Sequence, residues 1–267
     1  MDDRLQQIGN LFFALPQVKA VTLAGSRTLP HADPASDYDI YVYVAEDIPV
    51  EEREKIIMPR AEKAEINNQF WETGDEWLEL SDGLKFDVMY RWCDWVEAQI
   101  TRVMTAHQAS VGYSTALLHN IIHSQILFDR DGWFAKLQSR ANQSYPDGLQ
   151  RAIIAKNHPI LRGKLSSYIK QIEIAIKRDD AISVNHRVSA LLASYFDILF
   201  AINKVPHPGE KRQLIYSQTL CPKRPQNMEA HIAHILQQTR APSEALIDII
   251  HTLLNALDTL LIDENLI

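Results

Sequence analysis

The sequence has little cysteine, little glycine and no long apolar run. Its two cysteines, Cys93 and Cys221, lie far apart and lack the spacing of a metal-binding pair, so we expect free thiols in a reducing compartment. Nine glycines and 46% hydrophobic residues predict an ordered globular chain. No stretch approaches the ~20 apolar residues that span a bilayer, and the N-terminus lacks the pattern of a signal peptide. We therefore expect a cytoplasmic protein without a membrane partner.

Positive charge is also scarce. The chain carries 27 Lys and Arg against 34 Asp and Glu, a formal net charge of −7. Nucleic-acid-binding proteins usually show a basic patch interleaved with aromatic residues, and this sequence has none. An acidic surface suits a cationic small substrate, but solubility explains the sign equally well. We expect no nucleic-acid partner, and the oligomeric state stays open.

What the sequence does contain is a pair of aspartates behind a glycine-containing turn. A short apolar strand is predicted at 18–24 and ends at Gly25. A second strand, at 37–44, opens with Asp37 and Asp39, whose side chains share one face because strand side chains alternate. Two such charges repel unless a cation lies between them. Mg²⁺ binds both carboxylate and phosphate oxygens, so the pair predicts a magnesium site that also handles phosphate.

A third carboxylate lies on a later strand. Apolar and polar residues alternate from Leu84 to Arg91, and Asp87 falls on the polar face, where a strand gains little from an aspartate. If this strand neighbours the one with Asp37 and Asp39, three carboxylates converge and can hold one or two metal ions for in-line attack on phosphorus. The alternative is an acidic edge strand that pairs with surface lysine or arginine.

Gly25-Ser26, Asp37-x-Asp39 and Asp87, in this order, resemble the DNA polymerase β-like nucleotidyltransferase superfamily. Within it the chain looks most like the bacterial small-molecule branch of kanamycin, streptomycin and lincosamide nucleotidyltransferases. The motif covers about residues 18 to 91. The resemblance implies an α+β protein: an N-terminal nucleotidyltransferase domain with a mixed sheet and flanking helices, followed by a C-terminal α-helical bundle.

The hydrophobic pattern changes character near Tyr145. Beyond it the sequence shows long helical patterns and no alternating strand, which predicts a nucleotidyltransferase domain at 1–145 and a helical bundle at 146–267. Within the first domain we expect a charged helix at 51–64, a hairpin through Asp82-Gly83, and a last short strand at 125–128. In the second, we expect a helical stretch that is interrupted at Pro159.

The site residues receive roles from the resemblance and from their chemistry. Asp37 and Asp39 would bind Mg²⁺, and Asp87 would be either a third ligand or the base that deprotonates the acceptor hydroxyl. Glu76 and Glu79 are weaker candidates for that base.

The nucleotide would contact two other parts of the chain. Gly25 and Ser26 would bind the phosphates of ATP, because glycine lets backbone N–H groups approach closely. Arg27 would add charge, with a surface arginine as the alternative. Lys211 matches the lysine that relatives place after a buried helix to reach the phosphates, and Asp197 of that helix could face the acceptor. A solvated loop lysine and a helix-surface aspartate are the alternatives.

The resemblance implies an enzyme that transfers a nucleoside monophosphate, AMP from ATP, onto a hydroxyl of a small acceptor and releases diphosphate. Its partners would be a nucleoside triphosphate and that acceptor, of which an aminoglycoside-like antibiotic is one candidate among several. Two other functions stay open: a protein-modifying, antitoxin-type nucleotidyltransferase, and a non-catalytic nucleotide-binding protein of the same fold.

Overall fold

A computed structural model of the protein describes residues 3–28, 36–70 and 72–267. The chain forms two compact units. The first comprises Met1–Thr101 with Asn120–Gln143, and the second comprises Arg102–His119 with Ser144–Ile267. The domain boundary at residue 145 stays a prediction, because these units are defined by packing alone.

The first unit is built on a mixed six-stranded sheet. Its strands are β1 (Val18–Ala24), β2 (Tyr38–Val44), β3 (Ala61–Asn68), β4 (Gly74–Glu79), β5 (Lys85–Trp92) and β6 (Gln125–Asp129). They lie in the order β3-β4-β5-β2-β1-β6. The central pair β2 and β5 is parallel, and every other neighbouring pair is antiparallel. This arrangement places the two predicted acidic strands side by side.

Helices accompany the strands in the first half of the chain. They are α1 (Asp3–Phe13), α2 (Val50–Ile57), α3 (Cys93–Ile100), α4 (Ala116–His123) and α5 (Trp133–Ala141). One face of the sheet forms an apolar core, in which Ile40 of β2 and Phe86 of β5 are fully buried with residues of α1. Because strand side chains alternate, Asp39 and Asp87 belong to the opposite face.

The expected helix at 51–64 is partly wrong. The helix ends at Ile57, and strand β3 begins at Ala61. β3 is an edge strand whose Glu62 and Glu65 are exposed, and it is held by antiparallel pairing to β4. Charged residues are common on edge strands, where they discourage pairing with other chains, but they remove the apolar alternation that identifies a strand. The predicted hairpin is confirmed as β4 and β5, and the last strand as β6.

The second unit is helical. Its C-terminal helices are α6 (Asp147–Arg162), α7 (Tyr168–Lys177), α8 (Ala181–Ile202), α9 (Gln213–Leu220), α10 (Met228–Gln238) and α11 (Glu244–Asp263). The centre of the core is α8, which is buried at every position from Ser194 to Ile202. Pro159 does not interrupt the chain as expected: it lies inside α6, and the break follows Arg162. The α+β class, with a mixed sheet and a helical C-terminal region, is confirmed.

Contrary to the expectation that no stretch approaches a membrane span, helix α11 is long and apolar enough to cross a membrane by length and composition, with a mean hydropathy of 1.6 over its most apolar part. No other helix of the described residues passes that test. One face of α11 is packed in the core of the second unit, where Ile250, Leu254 and Leu257 are buried. Core helices pass the same test, so the composition of α11 does not indicate a location.

Candidate active site

Asp39 and Asp87 are neighbours on the central parallel strands. They are paired in register across β2 and β5, and both side chains are half-buried. Adjacent strands lie about 4.8 Å apart, so two carboxylates stand next to each other on one face of the sheet. Asp37 precedes β2 by one residue and is exposed. The structure thus brings together the three aspartates that the sequence singled out.

The turn after β1 is packed directly against Asp39. Ala24, the last residue of β1, pairs with Asp39 in register. Gly25 then opens a short 3₁₀ turn with a φ of +66°, and a Cβ atom at this position would lie 1.8 Å from Oδ2 of Asp39. Glycine is required both for the left-handed backbone and for the close approach. The backbone of the turn therefore borders the acidic cluster.

Arg27, two residues further along, contacts the segment that leads into β2. Its Nε donates to the carbonyl oxygens of Ser36 (2.8 Å) and Asp37 (3.2 Å). Its guanidinium also lies 3.8 Å from the ring centroid of Tyr38, a cation–π contact. Arg27 thus positions the start of the strand that carries the aspartates. Ser26 is half-buried in the same turn, and the phosphate-binding role of the three turn residues stays a prediction.

Sequence reasoning gave no role to Lys85, which lies in this cluster. Its Nζ is 2.7 Å from Oε2 of Glu76 and 3.9 Å from Oδ2 of Asp37. Glu76 itself is paired in register with Asp87 across β4 and β5. The spacing Lys85-x-Asp87 puts both side chains on one face of β5. This spacing is the feature of the sequence that could have indicated Lys85 as part of the site. Glu79, a weaker candidate base, is instead buried and paired with Arg60.

The electrostatics of the cluster bear on Asp87. Burial raises the pKa of Asp87 above its usual value, and the nearby carboxylates of Glu76 and Asp37 raise it further, while Lys85 opposes them. The hydrogen bond to Glu76 in turn raises the pKa of Lys85. A carboxyl group whose pKa moves towards neutral pH is a better general base.

The cluster suits a hard divalent cation by the chemistry of its donors. Carboxylate oxygens are the ligands that Mg²⁺ prefers, and a cation would relieve the repulsion among Asp37, Asp39 and Asp87. In the described part of the chain, no three His, Cys, Asp or Glu side chains are arranged as a ready ligand set. The carboxylates would therefore have to turn towards the ion, and the metal site stays a prediction.

Asp197 and Lys211 belong to the second unit. Asp197 is 1% exposed and accepts hydrogen bonds from the backbone N–H of Ser114 (3.0 Å), from its hydroxyl (2.6 Å) and from Nδ2 of Asn157 (3.1 Å). It is therefore a buried anchor for the segment before α4, and the alternative of a helix-surface aspartate is excluded. Lys211 is exposed in the turn before α9.

No protein-family model matches the sequence, and no curated protein is significantly similar to it. A solved structure of similar fold is a nucleotidyltransferase-like protein from Exiguobacterium sibiricum. The two chains are 12% identical, and the match covers 98% of this chain and 74% of that one, with a TM-score of 0.47. A likeness of this degree does not indicate any reaction or substrate.

Proposed function

We propose that the protein is a magnesium-dependent nucleotidyltransferase that moves a nucleoside monophosphate, AMP from ATP, onto a hydroxyl group of a small acceptor. The proposal rests chiefly on one observation, the register that pairs Asp39 with Asp87 on neighbouring parallel strands. The packing of Gly25 against Asp39 adds a glycine turn at the same place. This combination is the one by which the sequence resembles the polymerase β-like superfamily.

Each acidic residue has a role in this reaction. Asp37 and Asp39 would hold Mg²⁺, whose chemistry there is to neutralise the triphosphate and polarise its α-phosphorus. Asp87 would accept the proton of the acceptor hydroxyl or serve as a third ligand, and its raised pKa supports the role of base. The acceptor oxygen forms the new bond to the α-phosphorus, and the bond to the bridging oxygen breaks, so diphosphate leaves with the electron pair.

Binding groups outside the acidic cluster would orient the nucleotide. Backbone N–H groups of the turn at Gly25 and Ser26 would contact its phosphates, since a turn that exposes such groups attracts anions. Arg27 and the exposed Lys211 would add positive charge. Positioning and charge neutralisation account for most of the catalysis of phosphoryl transfer, so these contacts matter as much as the base. Asp197 is only a weak candidate for a contact to the acceptor, because its buried carboxylate already accepts hydrogen bonds from Ser114 and Asn157.

Calorimetric titration of ATP, with and without Mg²⁺, tests the proposal. We expect binding that depends on Mg²⁺ and is lost in the double variant Asp37→Ala/Asp39→Ala. The matched control is Glu62→Ala/Glu65→Ala, which removes the same charge from exposed positions of β3 and should bind normally. Failure of the folded wild-type protein to bind any nucleoside triphosphate would overturn the assignment.

The nature of the acceptor is tested with ATP labelled at the α-phosphorus. Transfer of label to a small hydroxylated compound supports the proposed class of acceptor. Label that accumulates on a protein band would instead indicate the protein-modifying function. Nucleotide binding without any transfer would indicate a non-catalytic nucleotide-binding protein.

Replacement of Lys211 by alanine is expected to weaken ATP binding about tenfold, because a charge-assisted contact to phosphate contributes about 1.5 kcal/mol. Lys204→Ala is the matched control, since this lysine of the same segment is paired with Asp147 at 2.5 Å. Both affinities can be measured by the same calorimetric titration. Equal ATP affinities for the two variants would contradict a role of Lys211 in nucleotide binding.

A further inference from the structure

The ammonium group of Lys85 is paired with Glu76 and lies near Asp37, one of the carboxylates that the proposed function assigns to the metal. It contacts Glu76 at 2.7 Å and reaches Asp37 at 3.9 Å. Glu76 is in turn held by Asn68, whose Nδ2 donates to its other carboxylate oxygen at 3.3 Å. A chain of polar contacts therefore runs from the edge strand β3, across β4 and β5, to the residue that precedes β2.

The position of Lys85 follows from the register of the sheet. It is the first residue of β5, directly before Phe86, which pairs with Tyr38 of β2. Parallel pairing thus brings Lys85 alongside Asp37, the residue before Tyr38. Asp87, two residues along β5, points to the same face. The lysine side chain is 35% exposed, about half as much as that of the surface residue Lys55 at 68%.

We propose that Lys85 is a built-in counter-cation of the acidic cluster and that a divalent ion has to displace its ammonium group from Asp37 in order to bind. This inference rests on the proposed function. A divalent ion bound to Asp37 would lie close to the ammonium group of Lys85, which is 3.9 Å from an oxygen of the same carboxylate. Two positive charges so close together repel each other. Lys85 therefore lowers the affinity of the cluster for free metal and offsets the repulsion among the carboxylates.

The displaced ammonium group has an evident new partner in the reaction. If Mg²⁺ binds together with a nucleoside triphosphate, the phosphates would supply negative charge for Lys85, which lies on the same face of the sheet as Asp87. Free metal supplies no such partner. Lys85 thereby couples metal binding to nucleotide binding: the wild-type protein should bind Mg²⁺ weakly alone and much more tightly with ATP. Lys85 is a positioning residue in this scheme.

The test is a titration of Mn²⁺, without nucleotide, followed by electron paramagnetic resonance of the free ion. We expect Lys85→Met to bind Mn²⁺ about tenfold more tightly than the wild type, because the loss of a positive charge beside the site removes its repulsion of the ion, and about 1.4 kcal/mol of such repulsion corresponds to a factor of ten. Lys85→Arg, which keeps the charge, should restore the wild-type affinity. Lys55→Met, which removes an exposed lysine paired with Glu52, should have no effect.

Thermal unfolding gives a second measurement on the same proteins. Without metal, Lys85→Met should unfold at a lower temperature than the wild type, and Mg²⁺ should raise its unfolding temperature more than it does for the wild type. If Lys85→Met does not fold without metal, Lys85→Gln carries the same comparison.

The outcomes separate this inference from the proposed function. Equal, measurable Mn²⁺ affinities for the wild type and Lys85→Met would overturn the displacement of Lys85 and leave the metal site standing. Absence of Mn²⁺ binding in every variant, together with absence of ATP binding in the calorimetric titration with Mg²⁺, would overturn both. Tighter Mn²⁺ binding in Lys85→Met without any nucleotide binding would support the displacement of Lys85 by metal, and it would overturn both the coupling to nucleotide and the proposed transferase.

Discussion

Replacement of Asp39 by alanine is expected to reduce nucleotidyl transfer on the order of 10³-fold while it leaves the unfolding temperature close to that of the wild type. Lewis-acid catalysis by a bound metal ion stabilises the transition state by several kcal/mol, and each 1.4 kcal/mol corresponds to a factor of ten in rate. Asp39 is half-buried on the polar face of the sheet, beside Asp87 and outside the apolar core. Its removal therefore affects the metal site without opening a cavity in the core.

Release of diphosphate from ATP, in the presence of an acceptor identified by labelling, measures this effect. Thermal unfolding of the same preparation checks the fold. Glu65→Ala, which removes an exposed carboxylate from the edge strand β3, is the control and should turn over at the wild-type rate. Turnover near the wild-type level in Asp39→Ala would contradict the assignment of Asp39 as a metal ligand.

The aspartates of the site could be predicted from the sequence because the patterns that indicate them are local. Asp37 and Asp39 are two residues apart, and alternation along a strand determines that they share a face. The pairing of Asp39 with Asp87 could only be assumed, because α2, β3 and β4 intervene between β2 and β5. Strand neighbours that are distant in sequence depend on the whole fold and not on the local pattern.

Two features could not be predicted because their causes are long-range. β3 is held by pairing with β4, and its charged residues do not distinguish it from a surface helix. Asp197 accepts two hydrogen bonds from Ser114, which is 83 residues away in the sequence. Nothing near Asp197 in the sequence indicates that partner, so an exposed position or a contact with the acceptor was expected. Buried polar groups find hydrogen-bond partners wherever the fold supplies them.

The second large expected effect is a dependence of stability on pH, which the buried carboxyl group of Asp197 causes. Burial raises the pKa of Asp197 from 3.8 to about 6, although the hydrogen bonds from Ser114 and Asn157 oppose the shift. Between these two values the folded protein binds more protons than the unfolded chain, so this residue makes the free energy of unfolding fall as the pH rises from about 4 to 6. The shift corresponds to about 3 kcal/mol at 1.36 kcal/mol per pKa unit.

Asp197→Asn isolates this contribution because the amide is neutral at every pH. In urea unfolding measured from pH 4 to 7, we expect the stability of the wild type relative to Asp197→Asn to decrease by about 2.5 kcal/mol, most of the full effect. Asp197→Ala should be less stable than Asp197→Asn throughout, by about 1–3 kcal/mol, since it leaves the N–H of Ser114 without its acceptor. A difference between wild type and Asp197→Asn that does not vary with pH would contradict the raised pKa.

For a second carboxylate, that of Asp180, we expect the opposite dependence of stability on pH. Asp180 is exposed at the N-terminus of α8, and hydrogen bonds from Ser183 lower its pKa. Its stabilising contribution is therefore present at neutral pH and is lost as the pH falls, whereas the cost of burying Asp197 disappears as the pH falls. Opposite trends in Asp180→Asn and Asp197→Asn would exclude a general effect of removing a carboxylate. If Asp197→Asn also leaves the KM for the acceptor unchanged, Asp197 acts by anchoring Ser114 before α4 and not by contacting the substrate.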